Sequence, residues 1–235
     1  MMYQWEAEHI RFMQDAADYG DYHRHLAEKL LPHLPPGGRI CDAGCGLGYL
    51  AEQLTPYFQE VTACDISPNA IREIQRRIER MDHLHLICGD IRKHPPQTPY
   101  DGMVFCLFGS WEEILLTAKE QCRGPVCVVS RGDRRHRFSV GRQNPHTDHA
   151  SDLAEMLQKE RIPFHREDFS LEFGQPFHGK EEAMAFFRLY NCGDREVEEK
   201  DIEKRLIETG RTDFPLYLPQ EKELTLFCFN GCDIP

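Results

Sequence analysis

The stretch from Arg39 to Leu54 constrains this chain most. A short apolar run through Ile40 and Cys41 reaches Asp42, crosses Gly44-Cys45-Gly46-Leu47-Gly48, and continues with Leu50, Ala51 and Leu54 at helical spacing. Glycines let a backbone turn sharply out of a strand and let a ligand approach without meeting a Cβ. The helix that follows begins with free N–H groups, which attract phosphates and carboxylates. The pattern predicts a strand, a ligand loop and a helix, the unit of a nucleotide-binding α/β sheet.

The rest of the chain repeats that unit. Glu60 to Asp65 reads as a second strand with an acidic end, Leu84 to Cys88 as a third closed by Gly89-Asp90, Met103 to Leu107 as a fourth, and Gly124 to Ser130 as a fifth. Ser67 or Pro68 opens a helix with Ile71, Ile74 and Ile78 on one face, and another helix starts near Glu112. Lys93 to Pro99 holds three prolines and is too broken for a crossover helix. Residues 6 to 31 read as two helices parted near Gly20. Ser151 to Arg161 reads as a helix, Pro163 to Phe173 as a strand, Lys180 to Tyr190 and Val197 to Thr209 as helices, and Leu224 to Phe229 as the last strand. The expected fold is one α/β domain over 1–235, a doubly wound, mainly parallel Rossmann-like sheet with helices on both faces and an antiparallel last strand. Residues 1–34 are expected as N-terminal lid helices and 174–220 as a helical insertion capping the substrate side.

A dinucleotide fingerprint needs its third glycine where Tyr49 stands, and Gly48 comes one place early, which weakens an NAD-dependent oxidoreductase. Asp65 lies about 20 residues beyond the loop, the spacing at which a carboxylate accepts two ribose hydroxyls. Asp42-Ala43-Gly44-Cys45-Gly46-Leu47-Gly48 resembles the first motif of the class I S-adenosylmethionine-dependent methyltransferases. The resemblance covers about Leu26 to Arg131, and beyond that only the order of elements. It implies S-adenosylmethionine as cofactor and S-adenosylhomocysteine as product. It also implies roles for residues: Asp42 beside the methionine part, Gly44, Cys45, Gly46 and Gly48 around the ligand, and Asp65 on the ribose. Ile66 would face the base, Asp90 and Ile91 would meet the adenine, and Phe105 would line the site from the fourth strand.

The implied activity is methyl transfer to a nucleophile on a small-molecule acceptor. The alternatives are a catalytically silent cofactor-binding scaffold and the weakened NAD oxidoreductase. The fourth strand is followed by neither Asn-Pro-Pro-Tyr nor Pro-Cys, so amide or adenine nitrogens and cytosine C5 lose weight as acceptors. Weak acceptor-side candidates are Tyr19, Trp111, Arg131 and Arg134, with His136 as a weak candidate base. Arg131, Arg134, Arg135, Arg137 and Arg142 stand against Asp133 alone, a local positive cluster that leaves an anionic small molecule open.

The net charge of -11 opposes general attraction to a phosphate backbone, so nucleic acid is expected to be a disfavoured partner. Of the ten cysteines, Cys41, Cys64, Cys88, Cys106, Cys127 and Cys228 fall in strands, where thiols pack as small hydrophobes, and no Cys-x-x-Cys pair exists. His146 and His149 with Asp148 lack a third metal ligand, so no metal is expected. The first eleven residues hold no apolar signal region, and no apolar run approaches spanning length. A cytoplasmic protein with no membrane partner is expected. Tyr3, Trp5 and Tyr19 in the leading helices are candidates to close over the cofactor, with core packing the expected role of each.

Overall fold

The computed structural model describes residues 5–78, 82–132, 138–142 and 149–235. Its main sheet contains β1 (Arg39–Ala43), β2 (Glu60–Asp65), β3 (Leu84–Cys88), β4 (Gly102–Cys106), β5 (Pro125–Arg131) and β6 (Phe164–Glu172). Three short strands, β7 (Gln175–Phe177), β8 (Ile207–Glu208) and β9 (Leu216–Leu218), form a second sheet, and β10 (Glu221–Asn230) returns to the first. The order in the main sheet is β3-β2-β1-β4-β5-β10-β6. β1 to β5 run parallel, and β10 lies antiparallel between β5 and β6. This is the doubly wound sheet with an antiparallel last strand that the sequence predicts.

The helices are α1 (Ala7–Tyr19), α2 (Tyr22–Leu30), α3 (Tyr49–Leu54), α4 (Pro68–Arg77), α5 (Trp111–Gln121), α6 (His149–Lys159), α7 (Lys180–Tyr190) and α8 (Glu199–Glu203). Side chains alternate across a strand, so the inner strands feed two cores. Ile40, Val104, Cys127 and Val129 pack with Leu26, Leu30, Leu50 and Leu54 on one face. Cys41, Met103, Phe105, Val126 and Val128 pack with Ile114, Leu115, Leu153 and Leu157 on the other. Covering both faces is why these strands read as continuous apolar runs, and each such side chain contributes about 1.5–3 kcal/mol on burial.

Two caps fix the loops at the carboxyl ends of strands. The Ser67 hydroxyl accepts the Ala70 N–H ahead of α4, with Pro68 at the first helical position. At α5 the Ser110 hydroxyl accepts the Glu113 N–H while the Glu113 carboxylate accepts the Ser110 N–H.

The capping segment departs from expectation. Residues 174–220 hold three strands as well as helices, and the helix read over 197–209 is confined to Glu199–Glu203, with Ile207 and Glu208 paired to β9. The leading helices also part company. Phe12 of α1 sits in the cap core, edge-on to Phe186 at 5.0 Å and beside Phe177 and Phe187, whereas α2 packs on the sheet. Of the six strand thiols, Cys41, Cys64 and Cys127 are buried, Cys106 and Cys228 are half-buried, and Cys88 is exposed; all ten cysteines are free. No helix among the described residues is long and apolar enough to cross a membrane. Tyr3, Asp133, Arg134, Arg135, His136, Arg137, His146 and Asp148 lie outside the described residues.

Candidate active site

β1 lies between β2 and β4, so the loop leaving it is held from the side by its neighbours. The N–H groups of Gly44 and Cys45 both donate to the Cys64 carbonyl, at 2.7 and 3.0 Å. Gly44, Gly46 and Gly48 have φ of +76°, +54° and +76°, a left-handed backbone that residues with a Cβ adopt only with strain. Space is short as well. A Cβ on Gly44 would strike the Phe108 ring, one on Gly46 would lie 2.7 Å from the Trp5 ring, and one on Gly48 would lie 2.8 Å from Ile74.

Asp65 closes this loop. Its Oδ2 accepts the Gly46 N–H at 2.9 Å and its Oδ1 accepts the Ser67 N–H at 2.8 Å. Burial raises its pKa, and the two N–H donors oppose that rise. Each oxygen keeps a second lone pair for another donor. Asp42, at the end of β1, is only 1 % exposed and its Oδ2 has no hydrogen-bond partner. Burial pushes its carboxyl up to about 7, with the charge of Asp65 adding to the rise. A buried carboxyl with one unpartnered oxygen and a main-chain cradle too tight for Cβ atoms fit a ligand that brings a cationic group and ribose hydroxyls.

The other expected cofactor contacts divide. Ile66 is 47 % exposed beside Asp65 and offers a free apolar surface. Asp90 is half-buried and paired with Arg92 at 3.0 Å, which lowers its pKa. Ile91 and Phe105 are buried within the core and present no surface to a ligand. The Cys45 thiol is half-buried, and burial raises its pKa well above the usual thiol range, so it is no ready nucleophile.

On the acceptor side, Tyr19 is engaged by the cap, stacked on Tyr217 at 4.9 Å and under the Arg211 guanidinium at 5.0 Å. Trp111 is half-buried against the α5 core, and Arg131 is exposed at the end of β5. Sequence reasoning missed Tyr22, whose buried hydroxyl has no hydrogen-bond partner and is influenced by Cys106 and Arg131 at the ends of β4 and β5. It also missed His23, held neutral by burial with a pKa lowered to about 3 and stacked on Tyr49 at 5.2 Å. Leu107, just past β4, has φ +54°, a strained conformation for a residue with a Cβ. A non-glycine residue in that conformation has no sequence signature.

A cleft of about 570 Å³ opens between Phe138, Glu172, Arg205 and the turn Leu218 to Glu221. Glu221 pairs with Glu172, and Leu224 with Arg131, so the cleft lies at the same edge of the sheet as the glycine loop. It stands three strand positions from β1, about 14 Å at about 4.8 Å per strand. The cofactor position is therefore read from the Asp42, Asp65 and glycine geometry, and the cleft is a separate feature of that edge.

Residues 40–123 match the family model described as a methyltransferase domain. Over those residues the chain carries a methyltransferase domain with the class I S-adenosylmethionine-dependent fold that the Asp42 to Gly48 motif resembles. A domain of this kind takes S-adenosylmethionine as its cofactor and leaves S-adenosylhomocysteine as product, which weighs further against the dinucleotide alternative. A malonyl-[acyl-carrier protein] O-methyltransferase of Ilyobacter polytropus is 31% identical over 98 residues, which span only 38% of either chain. A putative methyltransferase from Bacillus halodurans shares the methyltransferase fold with a TM-score of 0.53 at 15% identity, over 87% of this chain and 98% of that one. A putative RNA methyltransferase from Pyrococcus horikoshii has a TM-score of 0.50 at 14% identity, over 92% and 82%. That neighbour overturns the expectation that nucleic acid is disfavoured: the methyltransferase fold serves RNA as well, and net charge does not decide the acceptor.

Proposed function

We propose that this protein transfers a methyl group from S-adenosylmethionine to a nucleophile on a small-molecule acceptor. The observation that carries the reading is the pair of carboxyls at the ends of β1 and β2, one with an unpartnered buried oxygen and one holding the loop. The bound cofactor supplies an activated methyl carbon, whose bond to sulfur breaks toward sulfur as the acceptor's lone pair attacks. Asp42 would face the cationic methionine part, Asp65 the ribose and Ile66 the adenine, with Gly44, Cys45, Gly46 and Gly48 closing round the chain between them. Asp90 would stand at the far end of the base. The protein's task is to align the nucleophile and keep water away, which needs no obligate base.

The small-molecule reading rests on the α2 side chains set beside the glycine loop, where His23 stacks on Tyr49 at the start of α3. The buried Tyr22 hydroxyl supports it, since a polar atom without a partner favours a ligand that supplies one. Ten free thiols suit a reducing compartment such as the cytoplasm.

Calorimetric titration with S-adenosylhomocysteine, S-adenosylmethionine and NAD tests the cofactor site. Micromolar binding of the first two alone, about -8 kcal/mol, is the expected result, and binding of NAD alone would sink it. Binding without methylation across a panel of small molecules would favour the silent scaffold.

The Asp42 carboxyl sets a pH dependence. A folded pKa raised from 3.8 to about 7 means that ionisation over that window works against the fold, so the stability contribution of the group declines as pH rises through it. A cationic ligand reverses the preference by favouring the carboxylate. S-adenosylmethionine should therefore bind about tenfold tighter at about pH 8 than at about pH 6, with proton release. Asp42→Asn should bind more weakly and lose that slope; a slope unchanged in the variant removes Asp42 from the site.

A further inference from the structure

The turn after α2 faces the edge strand of the sheet with side chains that methyl transfer leaves unused. We propose that His33, His165 and Glu167 form a binding site for a divalent transition-metal ion of the zinc, nickel or cobalt type. His165 and Glu167 are two apart on β6 and so point to one side of the sheet. His33 lies in the single helical turn Leu31–His33 that extends α2. One ligand atom from each of the three lies within 4.8 Å of the other two. The imidazoles stack with centroids 5.2 Å apart and planes 25° from parallel, so a modest rotation turns their nitrogens to a common point.

The donor set selects the kind of ion. Two imidazoles and a carboxylate suit borderline metals and leave a fourth position for water, whereas calcium or magnesium would need more oxygen ligands. Lys29, one helical turn before His33, sets the competition. Its Nζ is 2.6 Å from Glu167 Oε1 and lowers the pKa of that carboxyl. The two side chains are 40 % and 34 % exposed, so solvent screens the pair and its displacement costs little. The ammonium stands where the charge of the ion would go. Asp15, His178 and Glu182 also come within 4.8 Å of one another. There, however, Arg11 pairs with both carboxylates, and His178 Nδ1 is 2.6 Å from the Asp213 carbonyl oxygen. At that cluster an arginine charge already stands beside both carboxylates.

Occupation would tie α2 to the outermost strand. Because α2 carries Tyr22 and His23 over the carboxyl edge of the sheet, the ion would brace the roof of the proposed acceptor side from behind.

The test is a Co²⁺ titration of the full chain, followed by visible d–d absorption, in wild type, H33A, H165A and K29Q. One equivalent should bind without thiolate-to-cobalt charge transfer. H33A and H165A should each weaken it by more than about tenfold, a loss of about 1.4 kcal/mol or more. K29Q, which removes only the competing ammonium, should tighten it several-fold. An identical isotherm in the H33A/H165A double variant, thiolate charge transfer, or no binding at about millimolar Co²⁺ would each overturn the site. Binding unaltered or weakened in K29Q would overturn the competition assigned to Lys29.

Discussion

Asp65→Ala should weaken S-adenosylhomocysteine binding by about 30- to 150-fold, a loss of about 2–3 kcal/mol, with the protein still folded by circular dichroism. Two losses combine in that figure. Charge-assisted hydrogen bonds to a ribose are worth about 1.5–3 kcal/mol, and the Gly46 and Ser67 N–H groups lose the acceptor that shapes the loop. Asp65→Asn separates them, because its single carbonyl oxygen can retain one main-chain bond while the charge is gone. If the ribose contact dominates, the asparagine variant should bind nearly as weakly as alanine; if loop shape dominates, it should recover most of the affinity. Unchanged affinity in a folded alanine variant would take Asp65 out of the ribose site.

Phe105→Ala should cost about 3–5 kcal/mol of stability in urea unfolding, which in a chain of this size lowers Tm by about 6–20 °C. The ring is fully buried within the α5 core, 5.4 Å from the ring of Phe108. Phe108 in turn lies against Gly44, so the cavity can reach the loop only through that second ring. The remaining folded protein should therefore bind S-adenosylhomocysteine within about threefold of wild type. A sharp loss of affinity at unchanged stability would make Phe105 a ligand contact after all.

These two residues mark where sequence was informative and where it was not. The Asp42 to Gly48 motif is legible because a left-handed backbone at three positions demands glycine, and that demand is written in residue type. The strands β4 and β5 are legible because burial on both faces makes their apolar runs continuous. The burial of Phe105 was not legible, because alternation along a strand says that faces exist, not which one meets a helix. The strands of the cap were not legible because the three-residue β9 and two-residue β8 are too short to show a period. Tyr22 shares a helical face with the apolar Leu26 and Leu30, which gives it no sequence mark. That its hydroxyl lacks a partner is a fact of tertiary packing. Net charge misled for a related reason, since it sums the whole surface and an acceptor meets only part of it.

The indole resting on Gly46 has a practical consequence. The Trp5 carbonyl also accepts a hydrogen bond from Asn69 at the start of α4, at 2.9 Å, so the segment before α1 is fastened across the loop. The chain has two tryptophans, and the other, Trp111, begins α5 at the carboxyl end of β4. Both of its indole fluorophores thus stand at the edge of the sheet where ligands are expected. The emission of the unlabelled protein, with W111F to isolate Trp5, reports directly on whether that segment stays seated or lifts as the loop fills.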